Sequence, residues 1–185
     1  MHLYSGAGRG LRRRAASGLL LMILCCAAMC GQAMGQAASA GAFVADPESG
    51  CQVWNPHPTA GETVSWTGEC VNGLAQGRGR LQWLRGGIAI ETDEGDWSQG
   101  RQSGRGKQYW RSGSYEGELL NGEPSGHGIM NLMSARYEGE FRNGKPNGIG
   151  AATTLSGVFR GTWKDGCLAD GKRKVAFAVS SSTCH

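Results

Sequence analysis

Acidic residues are missing from the first 45 positions of this 185-residue chain, where the basic residues are Arg9, Arg12, Arg13 and Arg14. Also missing is an apolar run long enough to cross a bilayer: the stretch from Leu19 to Met29 falls short of the roughly 20 residues a spanning helix needs. A basic start, a short apolar run and then the small residues of "GQAMGQAASA" form the layout of a secretory signal peptide. Residues 1–37 are therefore expected to be an export signal, cleaved after Ala37 or Ala40, and the protein to be exported to a periplasm or the extracellular space. The alternative is a membrane anchor through uncleaved residues 15–34.

Net charge is the next absence. Four of the 19 basic residues lie in the signal, and the 15 that remain match 15 acidic ones. A neutral exported chain removes the electrostatic argument for a nucleic-acid partner. "GRGR" and "GRGK" look like arginine-glycine RNA-binding tracts, but they fall in a repeat register. Three cysteines leave with the signal, and Cys51, Cys70, Cys167 and Cys184 stay. No C-x-x-C spacing and no histidine cluster accompanies them, so a metal site is not indicated. Two disulfides are expected in an oxidising compartment, with three connectivities open.

No convergent catalytic set is visible either. "GEFRNGK", Gly139 to Lys145, begins like a phosphate-binding loop, yet Pro146 stands where a magnesium-binding Ser or Thr is required. The histidines His57, His127 and His185 are scattered. The carboxylate pairs Glu116 with Glu118 and Glu138 with Glu140 could serve glycoside hydrolysis, and Cys70 or Cys167 a nucleophilic role with His57. The regular placement of the glutamates speaks instead for solvated strand faces. No cofactor is called for.

What the chain has in abundance is glycine, 32 residues of it, in register. "WTGECVNGLAQGRG" from Trp66, "DEGDWSQGRQSGRG" from Asp93, "YEGELLNGEPSGHG" from Tyr115, "YEGEFRNGKPNGIG" from Tyr137 and a decayed "FRGTWKDGCLADG" from Phe159 align on Gly68, Gly95, Gly117, Gly139 and Gly161. From Gly95 onward the step is 22 residues. Asn72-Gly73, Asn121-Gly122, Asn143-Gly144 and Asp165-Gly166 favour two-residue type I′ turns, whose central residues both need positive φ. Each unit thus reads as a β-hairpin.

Counting outward from Asn121-Gly122 pairs Glu118 with Ser125, Gly117 with Gly126, Glu116 with His127 and Tyr115 with Gly128; in the second unit Glu94 faces Arg105. An aromatic ring would then lie across bare glycine backbone. Alternation along a strand puts Trp66 with Cys70, Trp97, Tyr115 with Leu119, Tyr137 with Phe141, and Phe159 with Trp163 on a packed face. Glu69, Asp96, Glu118 and Glu140 form one polar column, and Arg78, Arg105, His127 and Ile149 another.

On Tyr115-Glu-Gly, Asn-Gly and Gly-x-Gly, repeated from Tyr137, the chain resembles the MORN repeat family over about Trp66 to Gly171. The second unit departs at Asp93 and Gln99, and the fifth lacks its closing Gly-x-Gly. The expected fold is all-β, an elongated, rolled antiparallel meander of consecutive β-hairpins: a linker and cap at 38–64, a repeat array of three to five units at 65–171, and a capping strand and tail at 172–185. Terminal repeats need covering. A Cys51–Cys70 bridge would fold the upstream segment over the first hairpin, and Cys184 could return Val175, Phe177 and Val179 to Cys167.

The family implies an accessory, membrane-associated or assembly element and carries over no catalytic residue. The leading expectation is a non-catalytic binding or scaffolding module of the cell envelope. Its partner would be a protein, lipid or polysaccharide, and it could form a homo-oligomer. A structural self-assembling repeat protein is the alternative, followed by an envelope carbohydrate-active enzyme. Candidate surface residues are Trp66, Arg78, Trp97, Arg105, Tyr115, Glu118, His127, Tyr137 and Glu140.

Overall fold

A computed structural model describes residues 41–169 and 174–184; the expected signal segment lies outside the described residues. Twelve strands form one sheet, and no α-helix occurs among the described residues. Strands β1 (Ala42–Ala45) and β2 (Gln52–Asn55) precede five consecutive hairpins. These are β3 (Glu62–Val71) with β4 (Leu74–Arg85), β5 (Ile88–Ser98) with β6 (Arg101–Trp110), β7 (Gly113–Leu120) with β8 (Glu123–Leu132), β9 (Ala135–Arg142) with β10 (Lys145–Thr154), and β11 (Gly157–Lys164) with the two-residue β12 (Cys167–Leu168). From β3 to β12 each strand pairs antiparallel with its sequence neighbours.

The turns follow the dipeptides. Asn121 and Gly122 have φ of 55° and 89°, and the other Asn-Gly and Asp-Gly turns repeat this geometry. Gln99-Gly100 does too, with Gln99 at φ 50°, although glutamine lacks the short side chain that lets asparagine tolerate the left-handed region. Gln99→Asn is therefore expected to stabilise the protein by about 0.5 kcal/mol. The measurement is a higher urea midpoint at unchanged slope; an unchanged midpoint would mean that the turn carries no strain. Each turn also ties down its predecessor. The glycine N–H groups of Gly100, Gly122, Gly144 and Gly166 donate to the carbonyls of Ala75, Gln102, Pro124 and Pro146, at 2.7–3.0 Å.

Beyond the first pairs of the four complete hairpins the register differs from the simple count. Leu120 faces Glu123 and Leu119 faces Pro124 as expected, but the ladder then slips at a bulge. Gly117 pairs with Gly128 rather than Gly126, Glu116 with Ile129 rather than His127, and Tyr115 with Met130 rather than Gly128. Likewise Glu94 faces Lys107, not Arg105. The bulged strand carries two extra residues, and this explains the Gly-x-Gly motif. Its first glycine, such as Gly126 at φ 88°, takes a backbone conformation closed to other residues, while its second joins the ladder.

The consequence is an unbroken row of directly paired glycines across eight strands: Gly79, Gly95, Gly106, Gly117, Gly128, Gly139, Gly150 and Gly161. On one face of this row the aromatic rings lie against glycine backbone, Tyr115 over Gly117 and Gly128, Tyr137 over Gly139 and Gly150, and Trp66 over Gly68 and Gly79. The expected ring-on-glycine contact is thus present, through a different register.

The packed face holds two apolar clusters. One contains Cys51, Val53, Val64, Trp66, Leu81, Trp83 and Trp97. The other gathers Tyr115, Leu119, Tyr137, Phe141, Trp163, Leu168 and Phe177. Edge-to-face contacts link Tyr137 to Phe141 and Trp163, with ring centroids 5.1 and 5.3 Å apart. Asp93 and Gln102, both buried, belong to neither cluster.

Disulfides close both ends. Cys51–Cys70 joins the segment before β2 to β3, and Cys167–Cys184 joins β12 to the tail. Cys51 is fully buried, whereas Cys70 is exposed and does not belong to the packed face as its column suggested. The region read as a linker contains the β1–β2 pair, which docks by backbone hydrogen bonds from Gln52 to Gly73 and from Trp54 to Gly100. At the other end the tail does not form the alternating strand expected. It contributes one bridge, Ala176 with Cys167, and the buried ring of Phe177.

Candidate functional site

The face opposite the aromatic rings carries a groove of about 850 Å³. The neighbours of each ladder glycine project there by alternation, and the antiparallel register lines them into two rows. The first runs Arg80, Glu94, Lys107, Glu116, Ile129, Glu138. The second runs Arg78, Asp96, Arg105, Glu118, His127, Glu140. Positive and negative side chains alternate along both rows up to β7. Arg80 and Glu94 approach to 3.5 Å and Lys107 and Glu116 to 3.0 Å, with side chains roughly half exposed. Pairs so exposed contribute little to stability and are free to exchange partners.

The acidic members of the second row also complete the backbone. The Asp96, Glu118 and Glu140 carboxylates accept the bulge N–H of Arg105, His127 and Ile149 at 3.3, 3.2 and 3.3 Å. On the opposite face Tyr115 donates its hydroxyl to the Glu118 carbonyl at 2.7 Å, Tyr137 to that of Glu140 at 3.2 Å, and the Trp66 indole to that of Glu69 at 3.2 Å. Burial, followed by the nearby Glu140 charge, pushes the Tyr137 hydroxyl up to about 12; burial and then Glu118 push Tyr115 up as well. These hydroxyls stay protonated and structural at physiological pH.

The candidate surface residues therefore divide. Arg78, Arg105, Glu118 and His127 line the groove, and Glu140 continues their row. Trp66, Trp97, Tyr115 and Tyr137 are buried in the core, on the face away from the groove. Arg80, Glu94, Lys107, Glu116 and Glu138, which line the other flank, were not among the surface candidates, although Glu116 and Glu138 had been read as solvated strand-face carboxylates. Glu94, Glu116 and Glu138 stand one residue before the anchor glycine at the same step of 22, and that was the available signal. Cys70 and Cys167 are consumed in disulfides and cannot act as nucleophiles. No group of three or more potential metal ligands is assembled among the described residues.

The second hairpin solves its missing aromatic differently. Asp93 replaces the tyrosine and accepts the Trp83 indole N–H at 3.1 Å, while Gln102 stands where Pro124 and Pro146 stand and covers Gly106. Gln102 donates to the Glu94 carbonyl at 3.0 Å and accepts from Gln108 at 3.0 Å. Burial first, and then the adjacent Glu91 charge, hold the Asp93 carboxyl well above the ordinary carboxylate range. An acid whose folded-state pKa is raised contributes fully below its unfolded-state pKa and loses that contribution as pH rises toward the folded value. Asp93→Asn, uncharged throughout, is expected to gain about 1–2 kcal/mol over the parent near pH 7.5 and nothing below about pH 3.5. Urea melts across this range check it; a pH-independent difference would contradict the assignment.

A model of the MORN repeat matches residues 66–88, 94–114, 115–131 and 137–151. No curated protein matches the chain. Each matched segment falls mostly on one of the four complete hairpins, and the fifth, truncated hairpin continues their turn and ladder beyond the match. With its units joined edge to edge along a glycine ladder, the chain is a MORN-repeat protein.

Proposed function

We propose that the protein is an exported, non-catalytic binding module of the cell envelope whose charged groove holds an extended segment of a partner protein. The observation that carries this reading is the pair of alternating-charge rows running across successive strands above a floor of glycines. Such a surface offers repeated weak ion pairs to a chain of mixed charge, and it concentrates no acid, base and nucleophile at one point. Repeat arrays bind extended partners through continuous surfaces of this kind. Two disulfides suit an oxidising compartment, and no helix among the described residues is long and apolar enough to cross a membrane.

The test is capture from the envelope fraction of producing cells with the parent protein and with Arg80→Glu, Arg105→Glu and Lys107→Glu, singly and combined. A groove partner is expected to be lost stepwise as reversals accumulate, and to be released by salt. Capture that survives the triple reversal would refute the groove reading. Capture abolished by one reversal alone would point to a single localised site. A size that grows with concentration on gel filtration, without any captured partner, would favour the self-assembling alternative.

A further inference from the structure

A separate cavity of about 230 Å³ borders the irregular second hairpin on the packed face, away from the groove. Segment 54–57 forms one wall and strands β5 and β6 the other. Its lining combines three indoles, Trp54, Trp83 and Trp97, with the carboxyls of Glu91 and Asp93. Asp93 is 4% exposed, and its Oδ1 has no hydrogen-bond partner; the Trp97 indole N–H is likewise unmatched.

The charges facing this cavity are otherwise accounted for. Glu62 is bound by Arg85 at 2.6 Å and by Asn55. The Arg101 guanidinium lies 3.9 Å from the centre of the Trp54 ring and 5.9 Å from that of Phe43. His57, also in the wall, has its backbone N–H on the Asn55 side-chain oxygen. Glu91 and Asp93, two residues apart on one face of β5, make no ion pair among the described residues. A buried carboxylate without a cation is costly, and burial, with the two acids' proximity adding to it at Asp93, holds both carboxyls above their ordinary range. Arg101 on Trp54 shows that an indole of this wall accepts a cation on its face.

We propose that this cavity is a binding site for a small organic cation, a primary or methylated ammonium, held between the Glu91–Asp93 carboxyls and the surrounding indoles. The ammonium would supply the positive charge that the acid pair lacks and displace a proton that burial keeps on the pair. Binding therefore releases a proton and tightens as pH rises. A neutral molecule of the same shape has neither property. The site owes its existence to Asp93 and Gln102, the positions where the third and fourth hairpins place tyrosine and proline.

Titration calorimetry of the intact disulfide-bonded protein with choline, butylammonium and the neutral isostere 3,3-dimethylbutan-1-ol, in two buffers of different ionisation heat, tests this. Expected are saturable binding of at least one cation at least ten-fold tighter than the alcohol, and a buffer-dependent heat reporting proton release. The double variant Asp93→Tyr with Gln102→Pro, which restores the residues of the regular hairpins, is expected to fold and to lose binding. Should that variant not fold, Glu91→Gln is expected to weaken cation binding about ten-fold and to remove the proton release. No saturable binding of either cation, equal affinity for the alcohol, or binding unchanged in Glu91→Gln would each overturn the proposal.

Discussion

Gly117→Val is expected to cost at least about 3 kcal/mol and to leave the protein largely unfolded at physiological temperature. A Cβ at Gly117 would stand 2.5 Å from the Gly128 Cα, the His127 carbonyl oxygen and the Tyr115 hydroxyl. Two of these atoms belong to the backbone of the paired strand, so relief requires parting β7 from β8, and the third is the hydroxyl anchored on Glu118. Close packing leaves no reserve into which the valine could relax. Thr153→Val, an exposed change on β10, is expected to stay within about 0.5 kcal/mol of the parent. Paired urea melts decide the matter. If both variants match the parent, close glycine contact does not set the spacing of the strands.

The second large effect is expected at the ends. Replacing Cys167 and Cys184 by alanine frees a loop with a sequence separation of 17 and should cost about 3 kcal/mol in the chain-entropy picture. The same holds for Cys51 and Cys70, separated by 19. Without its bridge the backbone bonds that tie the tail to the last hairpin among the described residues are those from Leu168 to Val175 and from Phe177 to Gly166. Phe177 would then leave the face of Tyr137, against which its ring lies with centroids 5.5 Å apart. Removing both bridges is expected to cost about 6 kcal/mol, comparable with the whole stability of a small domain. Melts of each double alanine variant, compared with the parent under reduction, measure this. Variants as stable as the parent would show that the ends are held by packing alone.

Much of the architecture was legible because its determinants are local. Asn121-Gly122 specifies a turn by its own backbone preference, and the step of 22 from Gly95 to Gly161 reveals the array without any knowledge of contacts. The bulge was not legible by counting, because outward pairing assumes an unbroken ladder. Its cause lies partly in Gly126, whose positive φ a sequence does not display, and partly in the Glu118 carboxylate that repairs the gap. The two-row groove depends on that slip, so Glu116 could not be placed opposite Lys107 until the register was known. Strand β1 was hidden for another reason. Its four residues are held by β2, which takes its own partners from Leu74 and Gly100, well separated in sequence. The cavity at Asp93 was visible only as a broken rule.

The separation of the two apolar clusters by Asp93 and Gln102 bears on cooperativity. Each hairpin touches chiefly its neighbours, so stability passes along the array by nearest-neighbour coupling, and the hydrophilic layer at the second hairpin is the natural place for that coupling to be weakest. The hairpins around Tyr137 and those around Leu81 then open as distinct units with separate hydrogen-exchange free energies. A partner that lay along the groove across both units would weld them into a single one.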